Sequence, residues 1–241
     1  MLTIQWKGKI GYGDIISPIG YAHNEAQRRQ EDVTLNFYFE HSPGIKFKES
    51  DPETINDRID FIAQHTRVDH GQKVTVNQIY NTRMKENHTN YSDQPLGLHN
   101  LTFSDKYAWN SRNLESNQTI LITPESNKKQ FSEYAPQKQW KDIGGWDEIR
   151  EKIENDPHVA YPIDIGYHTP IEKASKALQK CRQVISYHGN AAWLARWVGA
   201  PMWVRSNKPE FSQQIFPWSD PSWKYSIAKK LEVIDLREEY L

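Results

Sequence analysis

An aspartate set among glycines, Gly11-Tyr12-Gly13-Asp14, is the first place in this chain where residue type and setting can do chemistry. A carboxylate there can take a proton from an attacking hydroxyl if it comes within hydrogen-bond reach. The neighbouring Gly11 and Gly13 let the backbone turn sharply and admit another molecule closely. The plain alternative is an aspartate that caps a helix beside glycines that merely shape a turn. A second group is Ser126-Asn127-Lys128-Lys129, followed by Lys138-Gln139-Trp140. Its cations and hydroxyl can hold a phosphate that gains charge as it departs, or they are a solvated loop. The third group is the turn His188-Gly189-Asn190, which joins a strand-like run to a helix-like one. Amides at a helix N-terminus attract phosphate through free N–H groups and the dipole, and His188 can add a hydrogen bond. A structural turn with a buried, satisfied histidine is the competing reading.

Other chemistries find no foothold. The nine histidines show no zinc-site spacing, and Cys181 is the only cysteine, so intramolecular disulfides and cysteine-rich metal sites are excluded. No acidic pair resembles the Asp-x-Asp of metal-dependent sugar transferases, and no Gly-x-Ser-x-Gly elbow is present. No resident metal or cofactor is expected. Thirty basic and 31 acidic side chains leave a formal charge of −1 in 241 residues, which argues against attachment to nucleic acid by bulk positive charge. No apolar run approaches the ~20 residues of a membrane-spanning helix. The start MLTIQWKGK has no apolar core of a secretory leader, so the expected location is the cytoplasm.

The elements that must position these groups alternate between strand and helix. Leu2 to Lys7 alternates apolar with polar residues and leads into the glycine-rich loop. Ser17-Pro18 is a helix start, with Ser as cap and Pro at the first helical position, and the helix runs to about Arg29. Val33 to Glu40 is a strand with Val33, Leu35, Phe37 and Phe39 on one face. A helix opens at Ser50-Asp51-Pro52-Glu53 with Ile55, Ile59 and Ile62 on one stripe, and Val74 to Tyr80 is a strand. After a polar stretch, Thr119 to Thr123 is a short strand, and Trp146, Ile149 and Ile153 mark a helix. A strand at His158 to Ile165 and a capping box at Thr169-Pro170-Ile171-Glu172 come next. That helix turns Ile171, Ala174, Leu178 and Cys181 inward. A strand at Gln183 to Tyr187, a helix from Ala191 to Val198 stopped by Gly199, a strand at Pro201 to Arg205 and a closing helix from Ser226 to Tyr240 complete the chain. Strands separated by helices argue for parallel sheets with helical crossovers. Because the pattern runs twice, two doubly wound α/β domains are expected, at residues 1–112 and 118–225, with 226–241 closing the chain. Ligands of such sheets bind beyond the carboxyl ends of strands.

Two segments taken together resemble glycosyltransferases of the bacterial heptosyltransferase type. Gly13-Asp14-Ile15-Ile16-Ser17-Pro18 is similar to that family's glycine-aspartate motif after strand one. KALQKCRQVISYHGNAAWLARWVGAPMWV, within Ile171 to Val204, is similar to its donor-domain signature. Lys138-Gln139-Trp140 resembles a Lys-x-Trp element that lies near the donor phosphates in relatives. The resemblance implies a GT-B fold, two Rossmann-like domains facing a cleft, and direct, metal-independent transfer of a sugar from a nucleotide-sugar with inversion. It implies Asp14 as the base beside Gly11 and Gly13, and donor contacts from Lys138, Ser126, Lys128, His188, Gly189 and Asn190. Relatives carry Asp-[Ser/Thr]-Gly-x-x-His before Leu-Ala; aligned on Leu194-Ala195, this chain has His188, Asn190 and Trp193 where relatives have Asp, Gly and His. Its Asn- and Lys-rich style and compact size are similar to those of small viral enzymes that glycosylate hydroxymethylated pyrimidines in DNA. Mixtures of cations and aromatics at 138–141, 196–208 and 218–230 can track a phosphate backbone and stack bases, or equally be packed tryptophans with snorkelling lysines, the version the near-neutral charge favours. On the viral resemblance DNA is the expected acceptor, a carbohydrate or lipid-linked glycan the alternative, and a nucleotide-sugar binding module without catalysis the rival reading.

Overall fold

A computed structural model of the protein describes residues 1–8, 11–39, 52–66, 71–80, 106–109, 119–121, 147, 150–151, 154–155, 162–164, 169–181, 183–187, 189–200 and 202–205. The chain divides into two compact units, Met1–Lys106 and Tyr107–Leu241.

In the first unit, β1 (Leu2–Gly8), β2 (Val33–Phe39) and β3 (Val74–Tyr80) form a parallel sheet in the order β1-β2-β3. The crossovers are α1 (Tyr12–Arg29) and α2 (Pro52–His65). Right-handed crossovers that step twice in the same direction land on the same face of a sheet, and α1 duly touches α2 as well as all three strands. Ile4, Trp6, Val33, Leu35 and Phe37 fill that face, none more than 9% exposed. Thr3 and Gln5 of β1 are exposed on the other face, where Asn77 donates a hydrogen bond to Asn36 Oδ1 at 3.0 Å. Asp32 ties the amino ends together and sets the register. Its carbonyl accepts from the Leu2 amide at 3.2 Å, and its carboxylate accepts from the Lys73 amide at 2.9 Å.

The start of α1 corrects the sequence expectation. The helix begins at Tyr12, with Gly11 as its N-cap, so Gly13, Asp14 and Ser17 are helical and Pro18 sits inside the helix. A proline there removes the N–H that would bond the Asp14 carbonyl, at a cost of about 3 kcal/mol. Ile15, Ile16 and Ile19 are each at most 3% exposed on one stripe. At roughly 2 kcal/mol per buried isoleucine, their burial outweighs the loss. The local Ser-Pro signal yields to tertiary packing.

In the second unit, β4 (Thr119–Leu121), β5 (Pro162–Asp164), β6 (Gln183–Tyr187) and β7 (Met202–Arg205) are all parallel, in the order β5-β4-β6-β7. The helices are α3 (Ile171–Lys180) and α4 (Asn190–Val198), which touch each other. Asp147, Arg150, Glu151 and Glu154 are helical too; Trp146, Ile149 and Ile153 lie outside the described residues. Val184, Ile185 and Ser186 are fully buried, as a central parallel strand covered on both faces must be. Ala174, Leu178 and Cys181 point inward as expected and Ser175 joins them, whereas Ile171, expected inward, is only half-buried at the first turn. The capping box does not form: Pro170, in extended conformation, is the N-cap, no side chain caps the helix, and the Pro170 carbonyl accepts its first bond, from Ala174. With Pro170 as N-cap, Thr169 falls one residue outside the helix.

Tyr107 and Trp109 belong to this second unit, although the expected boundary assigned them to residues 1–112. The Trp109 amide donates to the Val198 carbonyl at 2.8 Å and its Nε1–H to the Cys181 carbonyl at 2.7 Å. The Tyr107 ring lies 6.4 Å from that of Trp197. α4 is buried all round from Ala192 to Val198, the pattern of an interior helix. Trp193, Arg196 and Trp197 are therefore core, which removes Arg196 and Trp197 of the 196–208 mixture from any base-stacking surface. The expected closing helix at 226–241 lies outside the described residues.

Gly199 closes α4 at φ 73°, with Ala200 N–H bonded to the Ala195 carbonyl at 2.9 Å, a Schellman-type ending that favours glycine. Gly199→Ala is expected to cost about 1 kcal/mol, because a Cβ is strained in the left-handed region. Thermal unfolding checks this.

Candidate functional site

In the second unit the chain steps from β4 to β5 on one side, then crosses back over β4 to β6. At such a reversal, loops leave adjacent strands toward opposite faces, and a crevice opens at their carboxyl ends. By that rule, the place to look for a ligand is between the carboxyl ends of β4 and β6. Ser126, Lys128, Lys129 and Lys138 follow β4 in sequence but lie outside the described residues, as does His188. Gly189 is the N-cap of α4, extended at φ −158°, and Asn190 is the first helical residue. No side chain caps this helix, and its first turn contains no acidic residue. The first bond of the helix runs from Trp193 N–H to the Gly189 carbonyl at 3.2 Å. The amides of Asn190, Ala191 and Ala192 thus have no acceptor within the helix. A positive dipole end, first-turn amides without an acceptor in the helix and a first turn free of acidic residues together make this an anion-attracting terminus at the carboxyl end of a central strand.

Trp193, which stands where the heptosyltransferase-type motif has His, is only 4% exposed. It packs under the Arg196 guanidinium, 5.8 Å from its ring. Burial lowers the Arg196 pKa to about 10, since desolvation disfavours the charged form. Neither side chain is presented to a ligand in solution.

In the first unit, the corresponding corner is the exit of β1. Gly11 caps α1 without a side chain, and the Ile15 amide donates to its carbonyl at 3.1 Å. The backbone places Tyr12, Gly13 and Asp14 as the first three helical residues. Arg58 of α2, 8% exposed, lies over the Tyr12 ring at 5.3 Å, so a guanidinium joins the positive end of α1. Sequence reasoning missed Arg58 because the pairing depends on how α1 and α2 pack, and no local spacing encodes it. It also missed Ser17, read as a cap and found buried one turn beyond Asp14. Among the described residues no group of three His, Cys, Asp or Glu side chains is arranged to hold a metal, and no helix is long and apolar enough to cross a membrane.

No family model matches the chain, and no curated protein matches it. Among solved structures, the chain is similar to the dodecameric iron-containing heptosyltransferase TibC in complex with ADP-D-beta-D-heptose, at a TM-score of 0.47 and 11% sequence identity. The match covers 91% of this chain and 61% of that one, so the chain spans less than two thirds of that protein's length.

Proposed function

We propose that the protein is a glycosyltransferase of GT-B type, which moves a sugar from a nucleotide-sugar to an acceptor hydroxyl. The observation that carries the reading is the uncapped N-terminus of α4 at the carboxyl end of β6, beside the reversal in strand order. It is supported by the sequence resemblance of Gly13-Asp14 and of the 171–204 segment, and by the position of Asp14 in the first turn after β1. In this account the donor diphosphate lies on the amides that follow Gly189, with Asn190, His188, Ser126, Lys128 and Lys138 around it. Asp14 takes the acceptor proton as the acceptor oxygen bonds to the anomeric carbon. The bond from that carbon to the phosphate oxygen breaks, and its electron pair leaves with the nucleoside diphosphate. Charge developing on the phosphate is met by amides and cations, and attack opposite the leaving group inverts the anomeric centre. The acceptor we assign is a 5-hydroxymethylated pyrimidine in DNA, on the cation–aromatic mixtures at 138–141 and 218–230; a glycan hydroxyl is the alternative.

A second reading, nucleotide-sugar binding without transfer, is favoured by one observation. Trp193 is interior where the family motif carries a histidine, so that part of the donor signature is not available here.

A screen of nucleoside diphosphates and nucleotide-sugars for thermal stabilisation tests the binding step, since a ligand that binds only the folded state raises the melting temperature by mass action. Gly189→Asp sharpens it with two effects of opposite sign. A carboxylate at the N-cap strengthens α4 by about 0.5–1 kcal/mol, so the free protein melts at higher temperature. The same charge repels a diphosphate, and affinity for the stabilising nucleotide falls by about tenfold or more. If affinity is retained, the phosphate does not sit at this terminus.

A further inference from the structure

The connections of the second unit sort its described charges onto two faces of the sheet. β4 to β5 steps one way, whereas β5 to β6 and β6 to β7 step the other way. With right-handed crossovers, helices of opposite step lie on opposite faces. α3 and α4 therefore share one face, where they touch, and the helical residues Asp147, Arg150, Glu151 and Glu154 belong to the other. That other face carries three acids against one base among its described residues. On the α3 face the balance is reversed. Lys173, Lys176 and Lys180 are exposed, Glu172 is the acid of that helix, and Arg196 of α4 is buried.

At 100° per residue the three lysines fall within an arc of about 60°, on the side opposite the buried Ala174, Ser175 and Leu178. At 1.5 Å per residue they span about 10 Å of the helix axis. One strand of duplex DNA presents a phosphate about every 3.4 Å along its axis, so the row matches about three phosphates. Lys176 Nζ lies 2.8 Å from a Glu172 carboxylate oxygen, but both side chains are more than half exposed. An ion pair in water is weak, and a phosphate can take the place of the carboxylate.

We infer that the outer face of α3 docks the phosphate backbone of duplex DNA, because a row of three cations opposes a row of evenly spaced anions. This rests on the DNA reading of the acceptor above and names where its backbone lies. A chain with almost no net charge can bind a polyanion in this way because its charges are segregated between two faces.

Fluorescence anisotropy of a short unmodified duplex tests it, with the full chain, no nucleotide-sugar, and salt varied from about 50 to 200 mM. Each lysine–phosphate contact contributes about 0.9 to the slope of log affinity against log salt. Replacing both Lys173→Gln and Lys180→Gln is expected to reduce the slope by about 1.8, so the affinity lost is about tenfold greater at the lower salt than at the higher. The melting temperature stays unchanged, since both residues are exposed. Lys73→Gln, at an exposed lysine of the first unit, leaves slope and affinity as in wild type. A slope in the double variant equal to that of wild type, or an equal loss in Lys73→Gln, overturns the inference. So does a wild-type protein that does not bind the duplex, or that binds poly-L-glutamate as tightly. Because the assay needs no turnover, a protein that binds DNA through these lysines and transfers no sugar refutes the transferase reading alone.

Discussion

Asp14→Asn is expected to lower kcat by about a hundred- to ten-thousand-fold, the range associated with loss of a positioned general base. The amide keeps the shape of the side chain and removes its ability to take the acceptor proton. Asp14 also occupies a place where any acid helps a helix, the first turn of α1, so a purely structural role has to be separated from a chemical one. The structural role is worth about 0.3–1 kcal/mol, a shift of a few degrees in melting temperature. Loss of turnover with a nearly unchanged melting temperature assigns chemistry to the carboxylate. A small fall in turnover, in proportion to a fall in stability, makes Asp14 a helix-end residue and nothing more.

The largest effect on stability is expected at Trp197. It is fully buried in α4, with the Tyr107 ring 6.4 Å away. Trp109, close by, is fastened to the carbonyls of Val198 and Cys181. Trp197→Ala removes a large apolar surface and leaves a cavity that a helix buried all round cannot collapse to fill. The cost is about 3–5 kcal/mol. In a unit of this size, that lowers the midpoint by on the order of 10 °C. Because the chain forms two units, calorimetry is expected to resolve the loss in the transition of the second while that of the first stays put. Equal displacement of the whole profile would mean that the two units unfold as one.

Much of the scaffold was legible from alternation and composition. β1 and β2 fall where apolar residues repeat every second position, β6 where a short run is buried on both faces, and the β1–β2 register then follows from burying Ile4 and Leu35 on one covered face. The stop of α4 at Gly199 was legible because only a residue tolerant of positive φ ends a helix in that way. What failed did so for one physical reason: short-range signals were weighed without the core. Ser17-Pro18 looks like a helix start until Ile15, Ile16 and Ile19 are seen to share a buried stripe. Thr169-Pro170 looks like a capping box until Pro170 adopts the N-cap position itself. Tyr107 and Trp109 sit in a polar stretch that reads as linker, yet the Trp109 hydrogen bonds to Val198 and Cys181 and the Tyr107 ring contact with Trp197, all more than seventy positions away, attach them to the second unit.

For the candidate site, the turn at Gly189 and the carboxylate at Asp14 were legible in the sequence, and strand order supplied the reason to propose a turn after β6 as a binding position. Within the first unit, the described sheet steps in one direction only, whereas the second reverses at β4; periodicity cannot distinguish these, because it finds strands without ordering them. The buried hydroxyl of Ser17 and the Arg58–Tyr12 contact were invisible for a related reason. Each is defined by what surrounds a side chain, not by its neighbours in sequence.

The most direct measurement of the central claim follows both products of the reaction at once. The protein is incubated with the nucleotide-sugar that stabilises it and with the hydroxymethylated oligonucleotide or the methyl glycoside, then analysed by mass spectrometry. Sugar transfer predicts one free nucleoside diphosphate for each acceptor that gains one glycosyl unit, with the ratio held throughout the time course. Tight nucleotide-sugar binding with neither product formed would contradict catalysis and leave the protein a binding module.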